Sequence, residues 1–334
     1  MRFKRFLASL LLALAGLALL AGLDLYRFSR RPGPDRETMV EIAPGSPLKK
    51  IAAKLAQKGL ISSVPWFIIL NRLNGDGTAL KAGEYRIPPR ATPLEIIATL
   101  KSGKVVERQL SIPEGFTLKQ IGARLKARGI CKDNEFEQLV RDPEQLKKWQ
   151  IPGPTLEGYL FPSSYNYSRQ TSCRQMLETM LATGRREYEK IRAASPPCRL
   201  DRHQVLTLAS MIQKEAGDNR EMPLIAAVFF NRLKKGMRLA SDPTTIYALG
   251  ESFDGNLRRR DLKNPSPYNT YQHKGLPPGP ICSPGREAIT AVLRPAKSDF
   301  LYFVARGDGR HQFSRNLNDH NRAVRRYQLR RPPR

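Results

Sequence analysis

An uninterrupted apolar run near the amino terminus constrains this chain more than any other feature. Phe6 to Leu23 contains no charged residue and follows Arg2, Lys4 and Arg5. As a helix rising about 1.5 Å per residue it spans roughly 27 Å, enough to cross the hydrocarbon of a bilayer. The basic flank keeps residues 1–5 cytoplasmic and sends everything after Asp24 outward. A cleaved secretory signal would export the body equally well. The run is long for a signal core, however, and Leu20, Ala21, Gly22, Leu23 make no clean small-x-small cleavage site. A lipoprotein is excluded, because no Cys precedes Cys131. The expectation is a single-pass anchor over residues 6–23 in the inner membrane, with the bulk of the chain periplasmic.

Export changes the meaning of the charge. Lys and Arg number 57 against 30 Asp and Glu, a net charge of +27, a balance often associated with nucleic acid. An exported body does not meet nucleic acid, and no basic run here is interleaved with aromatics as a base-stacking surface would be. Anionic lipid headgroups and the carboxylates of peptidoglycan stem peptides are the partners a basic surface meets outside; the alternative is a compositional bias spread over a solvated surface. Cys131, Cys173, Cys198 and Cys282 show no C-x-x-C pair and no His at ligand spacing. No metal is therefore expected. One or two disulfides are permitted in an oxidising space, with three complete pairings open, and free buried thiols are the other possibility.

Residues 24–38 read as a stalk, rich in Arg, Pro and Gly from Ser29 onward. A repeat follows at an offset of 70 residues: VEIAPGSPLKKIAAKLAQKGLI and QLSIPEGFTLKQIGARLKARGIC. Ile42, Gly45, Leu48, Ile51, Leu55 and Gly59 match Ile112, Gly115, Leu118, Ile121, Leu125 and Gly129. Each copy predicts a short strand, a Gly turn, a helix capped by Ser46 or Thr117, and a Gly stop. Pro65 to Leu73 then reads as a helix, Ala82 to Ile87 as a strand, and Thr92 to Leu100 as a helix with Pro93 at its first position and Gly103 beyond its end. Residues 39–108 thus form a small α/β domain resembling LysM-like glycan-binding modules, or else a spacer. Residues 109–334 form a larger, mainly helical part ending in a hairpin (Phe300 to Ala305, Gly307-Asp308-Gly309, Arg310 to Ser314) and a helix from Asn318 to Leu329 packed by Leu317, Ala323, Val324 and Tyr327. The fold class is α+β.

The chemistry concentrates in HQVLTLASMIQKEAG, His203 to Gly217. Val205, Leu208, Ile212 and Glu215 share one face of a helix, which places a carboxyl at the end of an apolar stripe. Desolvation against Met211 and Ile212 raises its pKa, as does the negative helix end marked by Gly217. A carboxylic acid kept neutral near pH 7 is what protonation of a leaving glycosidic oxygen requires. A terminal glutamate fraying into solvent is the bland alternative.

The blocks LASMIQKEAG, NRLKKGMRLASDPTTIYALG, SPYNTYQHKGLPPGPICSPG, YFVARGDGRHQFSRNLNDHNRAV and LEGYLFPSSYNY together resemble the YceG-like (MltG) family of endolytic murein transglycosylases. The likeness covers about residues 39–328. It implies a YceG-like catalytic domain over 109–334 in which Glu215 is the catalytic acid/base. It also implies cleavage of MurNAc-GlcNAc β-1,4 bonds in nascent glycan strands with formation of 1,6-anhydro-MurNAc ends, beside peptidoglycan synthases. One departure stands out: Gln213 occupies a position where family members often carry Glu. In such a reaction the sugar's own C6 hydroxyl attacks the anomeric carbon, so one carboxyl suffices where a hydrolase needs two. No cofactor is called for. Glu157, Tyr159, Asn269 and Tyr271 are the candidate substrate-binding residues: Glu157 as a cleft acid, Tyr159 (with Tyr165) as a sugar-stacking ring, Asn269 and Tyr271 as hydrogen-bonding groups on a proline-stiffened loop. Core packing is the competing reading for the tyrosines. Asp242 reads as a helix cap before Pro243, Asn231 and Arg232 as cleft or tie residues, and His311 and His320 as structural hydrogen bonders. A non-catalytic peptidoglycan-binding scaffold for the synthesis machinery is the alternative function.

Overall fold

The computed structural model describes residues 2–75 and 80–329. It opens with helix α1, Arg2–Arg30, which has one continuous stretch, Arg5–Arg30, long and apolar enough to cross a membrane, with its large apolar side chains exposed from Phe6 to Leu23. The helix does not end at Leu23. Residues 24–30, expected as stalk, are helical, with Leu25 packed on and Phe28 buried in the core of the small domain. Their spacing of three puts both on one face, and Pro32 with Gly33 stops the helix soon after. Only residues 31–37 are irregular.

Two compact units divide the chain, residues 1–109 with 166–170, and 110–165 with 171–334. In the first, β1 (Thr38–Ile42) is followed by α2 (Leu48–Gln57), α3 (Val64–Leu73), β2 (Gly83–Ile87) and α4 (Pro93–Ser102). The strands pair antiparallel, Thr38 opposite Ile87 and Ile42 opposite Gly83. Val40, Leu55, Phe67, Tyr85, Ile87, Ile96 and Leu100 form the core under this ribbon. At the start of α4, Thr92 and Glu95 make a reciprocal capping box and Pro93 takes the first position, while Gly103 ends the helix in the left-handed region.

The second unit repeats the opening grammar. β3 (Arg108–Ser111) leads through Gly115 into α5 (Leu118–Ala127). Gly45 and Gly115 have φ of 71° and 76°, and Gly59 and Gly129 of 70° and 68°, so the repeat read from sequence is a repeat of backbone. The caps differ. Thr117 caps α5 in a box with Gln120, whereas the residue capping α2 is Pro47, with no side-chain bond, and Ser46 is not the cap expected. After α6 (Glu135–Leu139), α7 (Pro143–Lys148) and β4 (Ser164–Tyr167), which pairs with β3, come the long α8 (Cys173–Ala193), α9 (Arg202–Glu215), α10 (Met222–Lys234), α11 (Asp242–Leu249) and α12 (Arg286–Leu293). Helix α9 is central, packed against α10, α11 and α12. The hairpin β5 (Tyr302–Ala305) and β6 (His311–Ser314) and helix α13 (Leu317–Val324) complete the unit. A π-helical turn over Arg325–Leu329 takes the place of the last part of the helix expected to Leu329. Ala323 is buried as expected, but Leu317 is exposed. Cys131 and Cys173 form a disulfide; Cys198 and Cys282 are free, the latter buried.

Candidate active site

The site grows from α9. Asp201 and Gln204 cap its start reciprocally, and Val205, Leu208, Met211 and Ile212 are wholly buried, so the helix is held rigidly to its last residue, Glu215. The residue is half-buried and its carboxyl is enclosed by protein, which raises its pKa from 4.5 to about 7. Burial is the main cause; nearby Asp242 adds to it, while a hydrogen bond from Ser241 and the positive charge of Arg232 oppose it. Near neutrality this acid is divided between its two protonation states, the condition for giving and retaking a proton in one cycle.

Ser241 Oγ donates to Glu215 Oε1 at 2.5 Å, leaving Oε2 to carry the acid proton. The serine, 1% exposed, is itself locked in place. Its amide donates to Thr270 Oγ1 at 3.0 Å, and its carbonyl accepts from Thr244 Oγ1 at 2.7 Å. The two threonine hydroxyls meet at 2.8 Å. Ala240, just before it, has a left-handed φ of 47°, a strain of about 1 kcal/mol or more. The Ala240 amide is tied to Thr270 O at 3.1 Å. Strained backbone held by a buried threonine pair is how this fold aims one hydroxyl.

The hairpin closes on the far side of the acid. Gly217 has no left-handed φ; it is glycine because a Cβ there would sit 2.4 Å from the carbonyl oxygen of Gly309 in the hairpin turn. The helix ends where the sequence placed its terminus, just before Gly217, with Ala216 as the cap in extended conformation. Glu221 accepts from the His311 amide at 3.0 Å and lies 2.8 Å from its Nδ1. Arg232 donates to Leu301 O at 2.7 Å and lies over the Tyr302 ring, and Asn231 donates to the carbonyls of Ser298 and Phe300. Both residues therefore tie α10 to the hairpin, and Arg232 adds a positive field at Glu215. His320 stacks on Tyr302.

The sequence candidates separate. Glu157 is 6% exposed, and its two oxygens accept from the Leu118 amide at the start of α5 at 3.1 and 3.2 Å. Tyr247 on α11 donates to it at 3.4 Å. Burial raises its pKa to about 7. Its hydrogen bonds run to α5 and α11, and the group bonded to Glu215 is Ser241. Tyr159 is buried rather than presented to a ligand. Its O–H meets His203 Nδ1 at 2.7 Å, and His203 Nε2 lies 2.7 Å from Pro278 O. A carbonyl only accepts, so Nε2 carries a proton, and in the neutral imidazole Tyr159 donates to Nδ1. Tyr165 is also buried, donating to Phe161 O. Asn269 is fully buried, with its amide spent on Leu262 O, Asn264 O and Thr245; it shapes the loop rather than waiting for an acetamido group. Tyr271 is half-buried and donates to Asp242 Oδ1 at 2.6 Å. Asp242 is not the cap of α11; that position belongs to Ser241, whose hydroxyl turns to Glu215 instead. Gln213 accepts from the Gly285 amide at 2.9 Å, a contact just before α12. Ser241 was the residue missed, since the cap signal before Pro243 falls on Asp242 in the sequence and leaves the serine without a role.

Residues 40–326 match the YceG-like family. The chain belongs to this family. Within it, a Bacillus subtilis protein named endolytic murein transglycosylase is 34% identical over 307 residues, 86% of this chain and 84% of that protein. A protein of the same name from Streptococcus pneumoniae serotype 2 is 31% identical over 316 residues, 85% of this chain, which spans 57% of that longer protein. A crystal structure of a yceG-like protein from Listeria monocytogenes is 36% identical and superposes with a TM-score of 0.57, covering 86% of this chain and 98% of that one. The YceG-like match begins within β1 and ends just past α13, so it takes in Glu215, Ser241 and the hairpin together.

Proposed function

We infer that this YceG-like protein is an endolytic lytic transglycosylase of peptidoglycan, with Glu215 as its single acid/base. The observation that carries the reading is a carboxyl enclosed at the end of α9, half-protonated near neutrality and held by one oriented hydroxyl. Glu215 first gives its proton to the glycosidic oxygen leaving the muramyl C1. The C6 hydroxyl of the same muramyl residue then closes on C1, and its proton returns to Glu215. Charge and atoms balance, no water is consumed, and the products are a 1,6-anhydro-MurNAc end and a free GlcNAc 4-hydroxyl. Arg232 supports the carboxylate formed midway, and Ser241 stabilises it by hydrogen bonding.

The wider placement follows from the same reading. Helix α1 anchors the enzyme in the inner membrane with residues 1–5 cytoplasmic, which keeps the body beside newly polymerised strands and the synthases that make them. The first unit acts as a LysM-like glycan-binding module; its β-α-α-β order and a cavity of about 310 Å³ lined by Ile42, Gly45, Leu48 and Ala82 support this. One observation favours a second chemistry: Asp242 bears on Glu215 electrostatically, and a second carboxylate is what a hydrolase would use to activate water.

Mass analysis of products from purified glycan strands decides. Anhydro ends, lighter by one water than hydrolytic ends and lost in Glu215→Gln, support the transglycosylase. Hydrated ends would move the assignment to hydrolysis with Asp242. Undiminished release by Glu215→Gln would remove this residue from the chemistry.

A further inference from the structure

A second binding feature lies on the hairpin side of the catalytic unit. Between β6 and α13 runs a cleft of about 510 Å³, within the size range of ligand sites. Phe300 and Phe313, 5.7 Å apart, and buried Ala323 contribute its apolar surface. Arg315, Arg322 and Arg326 line it as well, with Asp319 as the one acid among the lining residues. Arg315 pairs with Asp299 and Arg322 with Asp319, both in exposed bridges that are weakly held and readily exchanged. Arg326 has no ion pair among the described residues and lies over the Tyr327 ring at 5.3 Å.

We propose that this cleft is a subsite for the acidic stem peptide of the glycan strand being cut; the proposal rests on the functional reading above. Guanidinium groups match carboxylates in charge and in planar, two-pronged geometry. The phenylalanine floor suits the methyl groups of a short peptide that is otherwise alanine-rich. The placement also fits. Phe300 adjoins Leu301, whose carbonyl is held by Arg232, and Arg232 in turn acts on Glu215. The cleft and the acid are therefore built on one helix-hairpin assembly. A five-residue stem, extended, reaches at most about 17 Å from its sugar, the span within which a peptide beside the cut bond has to meet this surface. The site gives a physical reason for an enzyme of the wall to prefer strands that still carry peptides.

The experiment compares uncross-linked strands bearing stem peptides with strands stripped of them by an amidase, using the full chain in detergent. The wild-type KM is expected to be roughly ten-fold lower on peptide-bearing strands, the effect of about one charge-assisted hydrogen bond. In Arg326→Gln, and in Arg315→Gln as an independent change, this ratio should fall toward one while the melting curve keeps its position. Equal KM values for the wild type, or a ratio that survives both substitutions, would overturn the proposal. So would a ratio unchanged while binding to vesicles of anionic phospholipid is lost, since that assigns the cleft to lipid. Titration of the free stem peptide, followed by NMR, reads the cleft without catalysis: binding weakened by Arg326→Gln supports the subsite, and no binding to the wild type refutes it. If no strand yields anhydro ends, the functional reading fails, and this titration still judges the cleft by itself.

Discussion

Replacing Ser241 by Ala removes one donor from the acid without touching the acid, and the direction of the effect is set by which protonation state the donor favours. The hydroxyl reaches Oε1 at 2.5 Å and lowers the pKa of Glu215 against a burial effect that has already lifted it to about 7. A hydrogen bond to a charged group contributes about 1.5–3 kcal/mol, and about 1.36 kcal/mol corresponds to one pH unit. The alkaline limb of kcat/KM, which marks loss of the acid's proton, should therefore move up by roughly one pH unit or more. The plateau should fall about ten-fold, because an unheld carboxyl explores non-productive rotamers. The assay is anhydro-end release from uncross-linked strands between about pH 5 and pH 9. An unmoved limb, or one displaced toward acid, would refute the claim that Ser241 tunes this carboxyl. A fallen plateau with an unmoved limb would leave the serine a packing role only.

Glu157→Gln should stabilise the protein, and more so at high pH. Its proton affinity rises on folding from the ordinary 4.5 to about 7, so between those values the native state holds more protons than the unfolded state and stability falls as pH rises. Gln keeps an oxygen for the Leu118 amide and removes a cost of up to about 3 kcal/mol at pH 8 but little at pH 5; melting curves showing an equal shift at both pH values would contradict this. The Cys131–Cys173 bridge links residues 42 apart, so opening it by double replacement with Ser should cost up to about 4 kcal/mol, read as a lower denaturation midpoint. Thiol labelling should find two reactive cysteines only after unfolding, because Cys282 is buried; ready labelling of Cys282 in the native protein would count against the packing described.

Much of the molecule was legible because local rules and tertiary packing agree there. The apolar run, the doubled strand-turn-helix unit, the helix begun by Pro93 and ended by Gly103, the hairpin and the face of α9 ending at Glu215 each follow from composition or period. The helix boundary at Arg30 was not legible, because Phe28 is held by a core that forms only when α1 meets α3 and α4. Tyr159, Asn269 and Glu157 look like ligand residues in one dimension, since polar groups in proline-rich loops suit binding. Their partners, His203, Thr245 and Leu118, lie 44, 24 and 39 residues away.

Sequence alone thus determined which acid ends the apolar face and which segments are strand, helix or long apolar run, since these depend on neighbours a few residues apart. Only the tertiary structure decided the state of that acid. Its desolvation, its one hydroxyl partner and the strain at Ala240 arise where α9, α11 and the loop carrying Thr270 converge. A proton's affinity is set by all the atoms around it, and most of these lie far off along the chain.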